Sequence, residues 1–355
     1  MAQLAALQKA KEKKQLPVYV TTFVNPPLVS VIVPAYNEEI NAVRTVQSLL
    51  QQDYGNLQVI FVDDGSKDDT FTTINNDFCD DDRVKVFTKS NGGKASALNF
   101  GIEKAEGDYV VCIDADTQLR ADAVSQLMKK FTSPLSSRRG EGGEVGAVAG
   151  DVKVGNEINM ITKWQSIEYI TSQNFDSRAF DYLDCITVVP GAIGAFNKKA
   201  VIASGGFTSD TLAEDCDITM RLHRNGYTIM NCNEAISFTE APESMRQFMK
   251  QRFRWSFGVM QCFWKHRDAV LNPKYKNFGL IALPHILIFQ MILPFLAPLA
   301  DLVLVISLIA ASLNIIPASA GHIILYYIIF SVVDMASAAL AFAYEKEDYK
   351  KLVWM

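Results

Sequence analysis

The sequence predicts an α/β domain built on a doubly wound, mostly parallel sheet, followed by a membrane region. Three observations predict it. Four continuous apolar runs alternate with stretches that fit helices, each run ends in polar residues, and the composition becomes lipid-compatible near Phe278. At 355 residues the chain is comfortably long enough to bury a core.

Taken in order, residues 1–27, opening "MAQLAALQKAKEKKQLP", contain no apolar run long enough for a signal peptide and read as a charged lead-in. "LVSVIVPAYN" (28–37), "LQVIFVDDGS" (57–66), "RVKVFTKS" (83–90) and "DYVVCIDAD" (108–116) suit parallel strands buried on both faces. Helices fit 38–52, 68–78 and 94–105 between them. Ligands bind such sheets beyond the strand C-termini, where the polar tails Asn37–Glu38, Asp63–Asp64 and Asp114–Asp116 stand. A further helix opens at Glu214–Asp215 and ends at the Asn225–Gly226 C-cap, closing a domain over 28–243.

The region 244–276 centres on "QRFRWSFG", with an interfacial helix read over 244–268. Residues three and four apart share a helix face, so Gln251, Arg254 and Trp255 point one way. Phe248, Phe253, Phe257 and Met260 are left for apolar contacts at a membrane surface. Residues 277–355 hold two apolar stretches, 279–313 and 321–343, each exceeding the roughly 20 residues that cross a bilayer. Arg246, Lys250, Arg252, Arg254, Lys265 and Arg267 precede them, Lys346, Lys350 and Lys351 follow, and the connector carries no lysine or arginine. Both flanks are therefore expected to be cytoplasmic, giving a multi-pass protein of the inner (cytoplasmic) membrane. Asp301 and Asp334 are costly in lipid and are expected to face protein.

The net charge of −5 gives no electrostatic footprint for nucleic acid. The six cysteines are scattered, without C-x-x-C pairs or metal-ligand spacing to the four histidines. Buried thiols are expected, Cys112 within a strand among them.

Asp114 and Asp116 end a strand at i, i+2, so a divalent cation with its phosphate ligands fits between them. By itself such a pair is as readily a helix cap. Asp63–Asp64, in "VDDGS", reads equally as a nucleotide contact or as a turn with a cap. "SNGGKASALN" lacks the first glycine of a P-loop, although Gly92–Gly93–Lys94 at a helix start still favours an anion. A phosphatase of the D-x-D-x-[TV] type is excluded by Gln118. Glu214 and Asp215 read either as a charged first turn or as a general base facing the strand-end acids.

In order and spacing, "PAYNEE", "VDDGS", "NGGKASALN", "DAD", "AEDCD" and "QRFRW" resemble the processive family 2 glycosyltransferases over roughly residues 28–345. These are the synthases of cellulose, chitin, hyaluronan and poly-N-acetylglucosamine. "NGGKASALN", "VPGAIGAFNKKA" and "QRFRWSFG" are most similar to the bacterial poly-β-1,6-N-acetylglucosamine branch. The resemblance implies a GT-A fold and inverting transfer from a UDP-sugar to a polysaccharide acceptor. Asp63 and Asp64 would then contact the donor, helped by Pro34, Tyr36 and Glu38, with Lys94 beside it. Asp114 and Asp116 would hold Mg²⁺ or Mn²⁺, and Asp215, beside Glu214, would deprotonate the acceptor. Gln251, Arg252 and Arg254 would grip the donor. Trp255, Gly191, Gly205, Gly206 and Phe207 would shape the acceptor pocket. Ala213 departs from the family's Thr-Glu-Asp. Members usually carry more membrane helices than the two read here, which implies further membrane subunits or helices completing a channel. Two other readings stay open: transfer to a lipid carrier, in the manner of dolichyl-phosphate mannose synthase, and an inactive nucleotide-sugar-binding scaffold.

Overall fold

A computed structural model describes residues 25–132, 143–313, 319–345 and 350–351. Most of the lead-in, Lys346 and part of the connector between the apolar stretches lie outside these residues. The first half follows the expected alternation: β1 (Val29–Ala35), α1 (Ala42–Leu50), β2 (Leu57–Asp63), α2 (Thr70–Phe78), β3 (Val84–Thr88), α3 (Lys94–Lys104) and β4 (Tyr109–Cys112). β1 and β2 are buried along their whole length, as expected of central strands. Each strand stops short of its predicted C-terminus because the polar tail leaves the sheet. Asn37, at φ 58, and Gly65, at φ 73, turn the chain through the left-handed region. In register, Ala35 lies beside Asp63 and Asp63 beside Thr88, so three polar tails emerge side by side.

The second half was less visible in sequence. It adds β5 (Gln118–Leu119), α4 (Ala123–Thr132), β6 (Val145–Val154), α5 (Met160–Glu168), a π-turn at Tyr169–Asn174 and α6 (Phe175–Tyr182). After these come β7 (Gly194–Asn197), α7 (Lys198–Ala203), α8 (Glu214–Arg224) and β8 (Thr228–Thr239). Among the described residues the sheet has eight strands in the order β3-β2-β1-β4-β7-β6-β8-β5. It is mixed: β7 runs antiparallel to β4 and β6, while β6 and β8 are parallel. One face buries Val46, Leu49, Ile74 and Leu127 from α1, α2 and α4. The other buries Leu98, Ile102, Val201, Ile218 and Leu222 from α3, α7 and α8. Gly101 permits the close approach of α3 to β1, since a Cβ there would stand 2.4 Å from Ile32 Cγ2.

The long helix α9 (Met245–Lys265) starts at Ser244, whose Oγ accepts from the Gln247 N–H at 3.3 Å. It buries Gly258, Cys262 and Phe263 and exposes Met245, Met249, Phe253, Phe257 and Trp264. Phe248 and Met260 are half-buried instead. Turns of π and α geometry from Phe278 to Ile292 lead into α10 (Leu293–Ser312), and α11 (Ser319–Glu345) follows. Phe278–Ala310 and Ile324–Glu345 are long and apolar enough to cross a membrane by length and composition. Asp301 and Asp334 do not face protein as expected. Both are exposed, because the described chain does not cover the helical turns around them. All six cysteines are free, and all except Cys79 are buried.

Candidate active site

The site is assembled from the turn that begins α3. Asp64 accepts from the N–H of Gly92 (3.0 Å) and Gly93 (2.7 Å) and from Lys89 Nζ (2.6 Å). Gly93, at φ 82, takes the left-handed conformation that this clamp requires. The clamp makes Lys94 the first residue of α3 and sends its ammonium toward the end of β4. There Lys94 Nζ lies 2.6 Å from Asp114 Oδ1 and 3.1 Å from Glu214 Oε1.

α8 supplies the partners on the other side. Glu214, Asp215 and Asp217 fill its first turn and Arg221, His223 and Arg224 its last, the distribution a helix dipole favours. Ala213, at its N-cap, has no hydroxyl to cap the helix. α9 crosses tightly over this start, for a Cβ on Gly258 would stand 2.8 Å from that of Ala213. Asp215 Oδ1 accepts from the Cys216 N–H at 2.8 Å. A Cβ on Gly191 would lie 3.7 Å from both Asp114 Oδ2 and Asp215 Oδ2, so the two carboxylates face one space.

Charge governs the cluster. Burial, then the Glu214 carboxylate, push Asp215 up to about 6, against the pull of Lys94. Burial opposes the Lys94 ammonium, but Asp114, Glu214 and Asp215 outweigh it and hold the amine above the ordinary lysine range. Asp116 is pushed up to about 7, chiefly by burial and next by Asp114 and Glu38. Its Oδ1 accepts from Thr117 Oγ1 at 3.2 Å and Thr239 Oγ1 at 3.4 Å. Asp114 and Asp116 fit a divalent cation: they are hard oxygen donors whose negative charge is only partly balanced. Among the described residues no group of three or more His, Cys, Asp or Glu forms a metal cage. Substrate phosphates would complete the coordination, as is common for Mg²⁺ and Mn²⁺.

These groups open into a cavity of about 360 Å³. Lys94, Asp114, Asp116, Gly191, Glu214 and Asp215 line one end; Gln251, Arg254 and Trp255 close over it from α9. Among the described residues Gln251 Oε1 is buried without a hydrogen-bond partner, so it can accept from a ligand hydroxyl or amide N–H. Tyr169, Ser172 and Gln173 of the π-turn and Gln290 of the first apolar segment extend the wall. No sequence signal marked Tyr169 or Gln290. Each is an ordinary residue for its segment until the fold brings it to the cavity.

Several expected site residues stand elsewhere. Arg252 does not reach the cavity lining. Its guanidinium bonds Glu168 Oε2 at 2.6 Å and lies 4.6 Å over the Trp255 ring, because Glu168 and the ring form its nearest counter-surface. Gly205 and Gly206, at φ 85 and 67, form a turn tied to Asn99, and Phe207 packs edge-on against Phe196 at 5.8 Å. None of the three lines the cavity: Phe207 is buried behind the site, Gly206 is half-buried and Gly205 is exposed. Pro34 is buried in β1, beyond Ile32, the last residue paired with β4. Asp63 accepts from the Ser66 N–H (3.2 Å) and Thr88 Oγ1 (2.7 Å), so its carboxylate, like that of Asp64, shapes loops. Tyr36 is exposed beside them, and burial raises the Glu38 carboxyl.

A mostly parallel sheet with acids beyond its strand ends and a cavity roofed by a later helix defines a GT-A transferase fold. The mannosyltransferase PcManGT from Pyrobaculum calidifontis, solved in complex with GDP-Man and Mn²⁺, shares this fold. Its TM-score is 0.63 and its identity 22%, and the match covers 97% of this chain and 95% of that one. The family model described as glycosyl transferase family group 2 matches residues 109–342, and that of glycosyl transferase family 2 matches residues 30–166. The chain belongs to the family 2 glycosyltransferases. It is 31% identical over 273 residues to the poly-β-1,6-N-acetyl-D-glucosamine synthase of Staphylococcus aureus strain COL, covering 76% of this chain. The synthase of Staphylococcus epidermidis is 30% identical over 240 residues, 66% of this chain. The matched regions span 62% and 56% of these relatives' lengths.

Proposed function

We propose that this chain is an inverting, processive membrane glycosyltransferase. It transfers N-acetylglucosamine or a related sugar from a UDP-sugar to a growing β-linked polysaccharide. The observation that carries the reading is one cavity in which Asp215, Lys94 and Asp114 meet Gln251, Arg254 and Trp255. The names of the staphylococcal relatives support the sugar and the polymer. The nucleotide-sugar and Mn²⁺ in the Pyrobaculum structure support the donor class and a divalent cation. The two long apolar helices support a membrane location with the catalytic domain in the cytoplasm.

In this reading Asp215 takes the proton of the acceptor hydroxyl. The acceptor oxygen forms its bond to the anomeric carbon from the face opposite the diphosphate, and the bond from that carbon to the leaving oxygen breaks. The electron pair departs on UDP. Asp114 and Asp116 would hold Mg²⁺ or Mn²⁺, which when bound neutralises diphosphate charge. Lys94 and Arg254 add fixed positive charge in the same cavity, where it is worth more than in water. Gln251 orients the donor, and the Trp255 indole offers the acceptor sugar an apolar face.

The test is nucleotide release and sugar incorporation with a panel of UDP-sugars, Mg²⁺ or Mn²⁺, and an oligosaccharide acceptor. Asp215→Asn is expected to lower incorporation by ~10²–10⁴-fold while donor binding persists. Incorporation at the normal rate would overturn the assignment. A second reading, single transfer to a lipid carrier, is favoured by Gln290, through which the cavity reaches the first apolar segment. Product length separates the two.

A further inference from the structure

The second long apolar helix is largely exposed until its last two turns, from Ala338 on, which are partly covered. There Ala341 and Phe342, both fully buried, pack on Ile167 of α5 and Ile170 of the π-turn. The Tyr344 ring lies 6.1 Å from that of Phe175. Glu345 ends the helix with its side chain only 2% exposed. Its Oε1 accepts from Arg178 Nε at 3.0 Å and also from Arg178 Nη2, and its Oε2 lies 3.5 Å from Lys153 Nζ. Lys153 in turn stands 3.9 Å from the buried Asp151. Six residues past the helix, Lys351 Nζ bonds Glu157 Oε1 at 2.8 Å.

The opposite face of the same segment touches the roof of the cavity. Tyr169, the first residue of the π-turn, lies 6.3 Å from the Trp255 ring. Glu168, just before it, holds Arg252, whose guanidinium covers that indole. Among the described residues, Trp255 thus meets the Tyr169 ring and the Arg252 guanidinium, which Glu168 holds in place. π-turns are uncommon and concentrate where a local register is set for function.

We propose that Glu345 is a positioning residue: by gripping Arg178 and Lys153 it seats the membrane helix on the 167–178 segment, and that segment fixes Trp255 over the acceptor. The acceptor half of the cavity is then complete only when the end of the membrane helix is docked, while the donor half rests on β1, β2, β4 and α3 and shares with α9 only Gln251 and Arg254, which the docked segment does not grip. The inference rests on the proposed role of Trp255 in acceptor binding. Glu345 touches no reacting atom and acts through Tyr169 and Arg252.

The test uses the full chain in its membrane or detergent form. Glu345→Gln removes the charge, and Arg178→Lys keeps the charge but loses the two-pronged geometry. Both are expected to leave the donor KM and cation-dependent donor hydrolysis within about twofold of wild type. Both should lower transfer to an oligosaccharide by about tenfold, a typical size for coupling through packed elements. In a double-mutant cycle with Trp255→Phe the losses should not add, because the second change disturbs an indole that is already gone. Acrylamide quenching of the Trp255 fluorescence, isolated by difference with Trp255→Phe, should increase in both variants. Additive losses, equal loss of donor hydrolysis and transfer, or unchanged quenching would each overturn the proposal. Wild type that releases nucleotide from no sugar donor would instead overturn the functional reading, and the quenching result would still decide the docking.

Discussion

Gly191→Ala is the most informative single change at the site. The backbone at 191 is not in the left-handed region, so alanine brings no conformational strain of its own. What it brings is a methyl group whose ideal position lies 2.6 Å from Lys94 Nζ. Ordinary contact begins near 3.4 Å, so the ammonium must retreat by roughly 0.8 Å. A lysine can do so cheaply, because it is the far end of a flexible chain that moves. Global stability should therefore change by less than about 1 kcal/mol, as is usual away from the core. The cost falls on the geometry between Lys94, Asp114 at 2.6 Å and Glu214 at 3.1 Å. Misplacing a catalytic group by about 1 Å costs on the order of 10²-fold in rate. Steady-state nucleotide release with saturating donor and acceptor measures kcat, and thermal unfolding measures stability. We expect kcat to fall by roughly 10–100-fold with Tm nearly unchanged. An enzyme within twofold of wild type would show that Lys94 need not stand where it does, and the electrostatic reading of the cluster would fail.

The remaining predictions concern the base, the scaffold behind it and the roof. Asp215 must be ionised to accept a proton and is held at about 6 in the free protein. The acidic limb of kcat/KM should accordingly rise through pH 6 and fall about tenfold per unit below it; a limb near pH 4 would remove Asp215 as the titrating base. Asp217 is fully buried among Arg221 Nε (2.8 Å), Lys265 Nζ (2.8 Å), His266 Nε2 (3.0 Å) and Thr208 Oγ1 (2.9 Å). Burial alone would raise its pKa, but bonds from His266 and Lys265 and the Arg221 charge carry it below the usual range. Its stabilisation is therefore complete above the ordinary value of 3.8 and is lost only as pH falls below it. Asp217→Asn leaves the half-buried Arg221 guanidinium without its carboxylate, while Lys265 keeps Asp210, and should cost about 3 kcal/mol, read as a lower Tm at neutral pH; an unchanged Tm contradicts the network. Trp255→Ala should impair elongation more than donor binding, and equal losses would argue against an indole that stacks on the acceptor.

What the sequence makes legible here is chemistry that acts along the chain. A strand buried on both faces must be continuously apolar, and the turn that ends it must be polar, so β1, β2 and β4 and their acids can be read together. The same rule fails for β7, whose four residues are too few to show a pattern. It fails also for β6, whose "VGAVAGDVKV" is rich in small residues. Chemistry that depends on which distant group arrives first is not legible at all. Arg252 and Arg254 stand about 200° apart on one helix, so the face shared by Gln251, Arg254 and Trp255 leaves Arg252 at its rim. What the helix alone does not show is the partner: Glu168, 84 residues away, takes Arg252. Asp63 and Asp64 look like free ligands until Thr88, Lys89 and the Gly92–Gly93 turn claim their oxygens across 25 to 29 residues of chain. The carboxylates left facing the cavity are those whose neighbours in space are also acids, with Lys94 the one ammonium among them. That imbalance is a property of the assembled site, and it favours a cation arriving with the diphosphate.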